Sequence, residues 1–245
     1  MEIFSFSKGK NDTNEDAFAN NNSDFIVCDG VTYKNDDHPV KNLAKGSQVA
    51  NFIALESLKC KFNGSELIDY LTNKLNSKFS KSVGTALCIA RLDNQVLKIT
   101  QVGDVGFRVN GCDIFLGSKI IDHLTSILRQ SYIQLTNDIE GSRDFIMPLL
   151  KAQSIYKNNP NHPLGYGCLD GTKVAEKFIK YYEYNVHDLK TLEIFSDGYF
   201  QVPQNVSVAD WENSYNYVQN VDPYKYLDFP STKSTDDRTI LIINF

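Results

Sequence analysis

Long apolar runs are scarce in this sequence, as are clustered cations and paired cysteines. The longest apolar runs, such as 145–150, are a handful of residues, far short of the roughly 20 that span a bilayer. The stretch Met1 to Lys10 carries Ile3, Phe4 and Phe6 but no apolar signal-peptide region. A soluble, cytoplasmic protein without a membrane partner is the expectation. Lys and Arg number 25 against 30 Asp and Glu, for a net charge of −5. Phosphate backbones are gripped by clustered Lys and Arg, so nucleic acid is not expected as a partner. The five cysteines, Cys28, Cys60, Cys88, Cys112 and Cys168, are odd in number and widely spaced, with no CxxC pair. Neither a disulfide framework nor a zinc knuckle is expected, and all five thiols are expected to be reduced and structural. There is no GxxxxGK[ST], no GxGxxG and no HExxH. The histidines His38, His123, His162 and His187 form no ligand-spaced pair.

What is present is an ordinary globular composition, 42% hydrophobic and 22% charged, over 245 residues. That length buries a full core without staples, and a single domain over 1–245 is the simplest division. Strand-like runs occur at Asp24 to Cys28, Thr85 to Leu92, Val96 to Val102, Leu192 to Phe195 and Thr239 to Ile243. Two more, Val105 to Val109 and Asp113 to Leu116, flank Asn110-Gly111, a strong hairpin signal. Helical periodicity predicts helices over Val40 to Lys59, from Ser65 onward, over Ile120 to Leu135 and over Lys173 to Tyr182. The aromatic-rich stretch Trp211 to Tyr226 reads as core or packed loop. Runs of antiparallel strands with helices between them point to an α+β architecture.

The informative pattern is where the acids fall. Asp29-Gly30, Asp104 and Asp197-Gly198 each follow an apolar run; Asp236-Asp237 and Glu15-Asp16 each precede one. Any single Asp-Gly is most often a turn, but strand ends can converge on one rim of a sheet sandwich. Two carboxylates about 4 Å apart repel by roughly 4 kcal/mol at an effective dielectric near 20. Several such groups share a site only when protonated or when holding cations, and hard oxygen ligands suit Mg²⁺, Mn²⁺ or Ca²⁺. A calcium loop starting at Asp12 fails, because its sixth position is Ala17 and its twelfth Ser23.

Asn14-Glu15-Asp16-Ala17, Asp29-Gly30, Gly84-Thr85-Ala86, Gly103-Asp104, Ser196-Asp197-Gly198 and Asp236-Asp237-Arg238-Thr239 occur in that order. Together they resemble the metal-dependent protein phosphatases of the 2C type, and most closely the compact bacterial members. The resemblance implies a four-layer αββα sandwich, with two antiparallel sheets face to face and helices outside both. It implies two Mn²⁺ or Mg²⁺ ions at one end, with room for a third. Asp29 would bridge the two ions and Gly30 would offer its carbonyl. Asp197 and Asp236 would ligate one ion. Glu15 and Asp16 would hold the coordinated waters, and one of them would take a proton. Asp104 matches the position that helps bind the third ion. The implied activity is hydrolysis of phosphoserine or phosphothreonine in a protein, by water activated between the ions. The implied partners are a phosphoprotein and a cognate kinase, and a monomer is expected.

The sequence departs from the family pattern at several places. Asn11 stands where a phosphate-gripping Arg is common; Lys10 beside it offers a point charge to the substrate phosphate without the bidentate fork. Val31 stands where a His could protonate a leaving group. Gln201 and Val105 depart near the third ion. The region 120–170 resembles the family least and corresponds to its flap and substrate-facing insertions. Two other readings follow from these departures: a catalytically silent phosphatase fold acting as a binding or regulatory module, and a phosphatase for a small metabolite.

Overall fold

The computed structural model describes residues 1–10, 13–31, 34, 43–117 and 119–245. Its strands are β1 (Glu2–Lys8), β2 (Asp16–Asn20), β3 (Asp24–Gly30), β4 (Leu43–Ala44), β5 (Lys81–Ser82), β6 (Thr85–Asp93), β7 (Val96–Val102), β8 (Gly106–Val109), β9 (Asp113–Phe115), β10 (Lys180–Asn185), β11 (Thr191–Phe195) and β12 (Arg238–Asn244). Its helices are α1 (Gly46–Ser57), α2 (Gly64–Lys78), α3 (Ile120–Thr136), α4 (Gly141–Ala152) and α5 (Val208–Val221). One five-stranded sheet runs β1-β12-β11-β8-β9 and the other β10-β7-β6-β3-β2, with all neighbours antiparallel. The short β4 and β5 pair in parallel.

Strand alternation builds the layers, because successive side chains point to opposite faces. Phe25, Val27, Cys88 and Ile99 of one sheet meet Phe107, Ile194, Leu241 and Ile243 of the other. From the same strands, Ile26, Cys28, Leu87 and Ile89 face outward and pack on Ile53, Ala54, Leu71 and Leu75 of α1 and α2. On the far side, Phe195, Ile240 and Ile242 pack against Trp211 of α5. The result is the αββα sandwich expected from the resemblance.

The two central cysteines, Cys28 and Cys88, are buried and free, but Cys112 is exposed at the β8–β9 turn. Burial therefore explains four of the five thiols. The turn itself is as expected: Asn110 and Gly111 both have positive φ, 54° and 71°, which the two central positions of a type I′ turn require.

Three element assignments are corrected. The helix expected over Val40 to Lys59 is α1, Gly46–Ser57, and Leu43–Ala44 is a strand; Val40 to Asn42 lie outside the described residues. The segment Lys173 to Tyr182 is not a helix. It holds one 3₁₀ turn, Glu176–Phe178, and then enters β10. Of the aromatic stretch Trp211 to Tyr226, Trp211 is core as expected, but 211–221 is helical, the body of α5, opened by Ser207, whose side chain accepts the Asp210 N–H at 3.1 Å. Within 120–170, α3 and α4 form a hairpin that the sequence reading found only in part. Arg129 binds it together by donating to Ser142 Oγ at 3.1 Å. It also reaches the carbonyls of Tyr224 and Ser231, each at 2.9 Å. The hairpin is thereby anchored to the chain that leads into Lys233 and Asp236. Among the described residues no helix is long and apolar enough to cross a membrane.

Candidate functional site

The antiparallel register sets the site. β3 ends at Asp29-Gly30, β7 runs out into Gly103-Asp104, β11 into Ser196-Asp197, and β12 begins just after Asp236-Asp237. These ends lie at the same edge of the two facing sheets. Asp29, Asp104 and Asp197, all partly buried, each offer a carboxylate oxygen within 4.8 Å of the others. They line a cleft of about 390 Å³ together with Lys10, Glu15, Gly30 and Asp236. The α3–α4 hairpin forms the opposite wall, through His123, Ser126 and Arg143.

Close packing fixes the floor. A Cβ at Gly30 would come within 2.5 Å of the Glu15 carbonyl oxygen and of the Gly46 backbone, so only glycine lets these segments meet. The Thr85 hydroxyl donates to the Asp29 carbonyl at 2.8 Å. Asp237, absent from the sequence-derived set of site residues, accepts the backbone N–H of Lys10 at 2.7 Å and of Glu15 at 2.9 Å. It holds the segment that carries Glu15. Its only signal in the sequence was its place beside Asp236.

Asp16 pairs across the strands with Asp29 and is 5% exposed. It is not among the residues that line the cleft. One of its oxygens accepts the Ser196 hydroxyl at 2.6 Å, and the other is buried without a hydrogen-bond partner. Burial pushes its carboxyl up to about 7, against the hydrogen bonds from Ser196 and Thr239 and with the charges of Asp197 and Asp237 adding to the rise. Asp29 is driven well above the usual carboxylate range by burial and by Asp197, Asp16 and Asp104. Asp104 is raised by burial, with Lys119 opposing. Burial works on Asp197 in the same direction, but Lys233 and Lys119 outweigh it and hold that carboxyl below its usual value.

Three lysines answer this charge. Lys10 Nζ lies 3.2 Å from Asp236, 3.8 Å from Glu15 and 3.8 Å from Asp237. Lys233 contacts Asp236 directly and stands 3.8 Å from Asp197. Lys119 is 2.6 Å from Asp104. Of these only Lys10 stands out in the sequence, as a contact for substrate phosphate. The structure places it among carboxylates on the cleft wall. Lys119 and Lys233 carry no local signal, because a lone lysine on a loop is ordinarily a solvated charge. Lys34, also in the cleft lining, is pushed down to about 8 by burial, with Asp122 opposing. Asn11, Asp12, Thr32, Tyr33 and His38 lie outside the described residues.

The donor set is chemically uniform: carboxylate and carbonyl oxygens converging from separate strand ends, with an orphaned oxygen on Asp104. Hard divalent cations fit such a set.

Neither a protein-family model nor a curated protein sequence matches this chain. Solved structures do match it in fold. A bacterial serine phosphatase, in a point-mutant form, aligns at a TM-score of 0.55 and 15% identity, over 99% of this chain and 96% of that one. The Mycobacterium tuberculosis serine/threonine phosphatase PstP aligns at 0.51 and 13%, over 100% and 98%. The Mycobacterium smegmatis PPM Ser-Thr phosphatase MsPP, in complex with cacodylate, aligns at 0.53 and 12%, over 100% and 98%. At these identities the likeness shows the fold: this chain has the sandwich of the PPM, or 2C-type, phosphatases from end to end.

Proposed function

We propose that this chain is a single-domain, metal-dependent phosphatase of the 2C type that hydrolyses phosphoserine or phosphothreonine in a protein. The observation that carries this reading is the convergence of Asp29, Asp104 and Asp197 within 4.8 Å, at the sheet edge of a fold shared with serine/threonine phosphatases. Asp29, the Gly30 carbonyl, Asp197 and Asp236 would hold two Mn²⁺ or Mg²⁺ ions. Bound there, the ions would supply a nucleophilic water at neutral pH and neutralise the phosphate dianion.

The remaining steps belong to side chains. Glu15 lines the cleft and would take a proton from the attacking water. Asp16, buried behind Asp29, keeps Ser196 in position and adds to the field that makes Asp29 hungry for a cation. Arg143 and Lys34 put positive charge on the wall where a phosphate would enter, and Lys10 adds a third charge beside Glu15. Val31 also lines the cleft and cannot protonate a leaving group, so phenolic esters would suffer least from its presence. A phosphoprotein and its kinase are the partners this reading implies, in the cytoplasm.

The experiment is hydrolysis of p-nitrophenyl phosphate with Mn²⁺, with Mg²⁺ and with chelator, run beside Asp197→Asn. Activity should need metal and fall by at least about 100-fold in the variant, since a lost ligand removes a charge the transition state leans on. Full activity in Asp197→Asn contradicts the assignment. One observation favours a second reading, a silent binding module: Lys10, Lys119 and Lys233 already pair with the cleft carboxylates. Bound ions without hydrolysis of any phosphoester would favour it.

A further inference from the structure

We propose that Lys119 is a tethered cation that occupies the place of a metal ion at Asp104, so that this centre holds two divalent ions and not three. The inference rests on the two-ion reading above and adds the role of a residue that reading does not use. Its ground is that two cations compete for one carboxylate. Asp104 belongs to the metal-capable trio, yet its Oδ2 is already 2.6 Å from the Lys119 ammonium.

The seat of this ammonium is built. The Lys119 and Asp104 side chains are only 15% and 10% exposed. Asp122 flanks the ammonium at 3.9 Å, and the Tyr166 ring lies 5.4 Å below it, within cation–π range. The backbone that delivers Lys119 is pinned to the same turn. A Cβ at Gly117 would overlap the Gly103 carbonyl oxygen and come within 2.7 Å of Asp104 Cα. That approach requires glycine two residues before the lysine. Lys119 then leads directly into α3.

The other two lysines differ. Lys10 and Lys233 are more exposed than Lys119, at 24% and 29% against 15%. Lys119 meets Asp104 with the carboxylate's second oxygen, Oδ1, left buried and unpartnered. A divalent ion binding at that oxygen would sit in direct repulsion with an ammonium that burial keeps from swinging into solvent. One positive charge therefore already occupies the Asp104 corner. Asp29, Asp197 and Asp236 are left to the ions.

The test counts ions, by calorimetric titration and equilibrium dialysis with Mn²⁺. Wild type should bind two ions per chain, and Asp104→Asn should leave the count at two. Lys119→Gln, checked for folding by circular dichroism, should gain a third, weaker ion. Lys119→Gln combined with Asp104→Asn should return to two. Should Lys119→Gln not fold, Lys119→Arg serves in its place: it keeps the charge and should keep the count at two. A third ion in wild type that disappears in Asp104→Asn overturns the proposal. So does a folded Lys119→Gln that still binds two, or a Lys119→Arg that gains one. Absence of any bound ion in wild type overturns the two-ion reading beneath it, which is a different result from three.

Discussion

Asp29→Asn should abolish phosphoester hydrolysis and at the same time make the metal-free protein more stable. The loss follows from position: Asp29 is one of the trio at the sheet edge and is the carboxylate assigned to both ions. Forfeiting several kcal/mol of transition-state stabilisation lowers the rate on the order of 10³-fold or more. The gain in stability follows from the charge. Asp29 is ionised only against burial and against Asp197, Asp16 and Asp104. Asn keeps the shape and removes that repulsion, while the Thr85 bond to the residue-29 carbonyl is untouched.

The same field sets a pH dependence. Asp16 sits at about 7 and Asp29 well above its ordinary value. A carboxyl raised in the folded state binds more protons there than in the unfolded chain, so it favours folding at low pH. That contribution is lost as pH rises. Metal-free protein should therefore lose stability between about pH 4 and pH 7, with a slope of up to about 1.4 kcal/mol per pH unit for each such group. Urea denaturation in chelator across that range measures it. Asp29→Asn should flatten the slope, and saturating Mn²⁺ should remove most of it. Stability that rises across this window in chelator contradicts the picture of a crowded, under-compensated cluster.

Glu193→Ala should cost about 3–5 kcal/mol of folding stability, the expected penalty for stranding one partner of a buried pair. Glu193 and Arg108 are register neighbours on β11 and β8, and their exposures are 0% and 1%. The guanidinium grips the carboxylate through two nitrogens, one of them at 2.6 Å. It spends its other donors on the Pro203 and Asn205 carbonyls. Trp211 donates its indole N–H to the same carboxylate at 2.7 Å. This network joins α5 to the outer face of its sheet. Removing the carboxylate leaves a buried guanidinium and an unpaired indole N–H, each a desolvated donor without compensation. Replacing both charged partners with apolar residues of similar volume should recover most of the loss. Chemical denaturation of the single and double variants measures both effects, and a cost under about 1 kcal/mol for Glu193→Ala contradicts the role assigned to the pair.

The parts of this molecule that could be read from sequence are those where one local rule dominates. Phe25 to Cys28 is a continuous apolar run because both faces of β3 are buried. The Asp29-Gly30 that ends it therefore stood out. Asn110-Gly111 dictates its turn through two positive-φ positions. The obscure parts are those where tertiary context decides. β10 is an edge strand paired with β7; Tyr182 and Tyr184 turn to the core while Tyr181 and Glu183 are exposed, but a tyrosine on the exposed face hides that alternation in the sequence. In α5 only Trp211 and Val218 are buried, seven residues apart, which leaves little periodic signal in a polar stretch. Pro148 lies inside α4 and masks a buried spacing of Ser142, Ile146 and Leu150. Within the site, the acids were legible because they punctuate strands. Lys119 and Lys233 were not: each has an aspartate three residues on, which reads as an ordinary local pair, while Asp104 and Asp197 are reached only through the fold.

The most direct test is to titrate chelated, metal-free protein with Mn²⁺ while following p-nitrophenyl phosphate hydrolysis and ion binding together. Hydrolysis that is absent in chelator and rises as two ions bind is the expected result. Hydrolysis at full rate in chelator, or a protein that binds no divalent ion at all, would contradict a catalytic metal centre at Asp29.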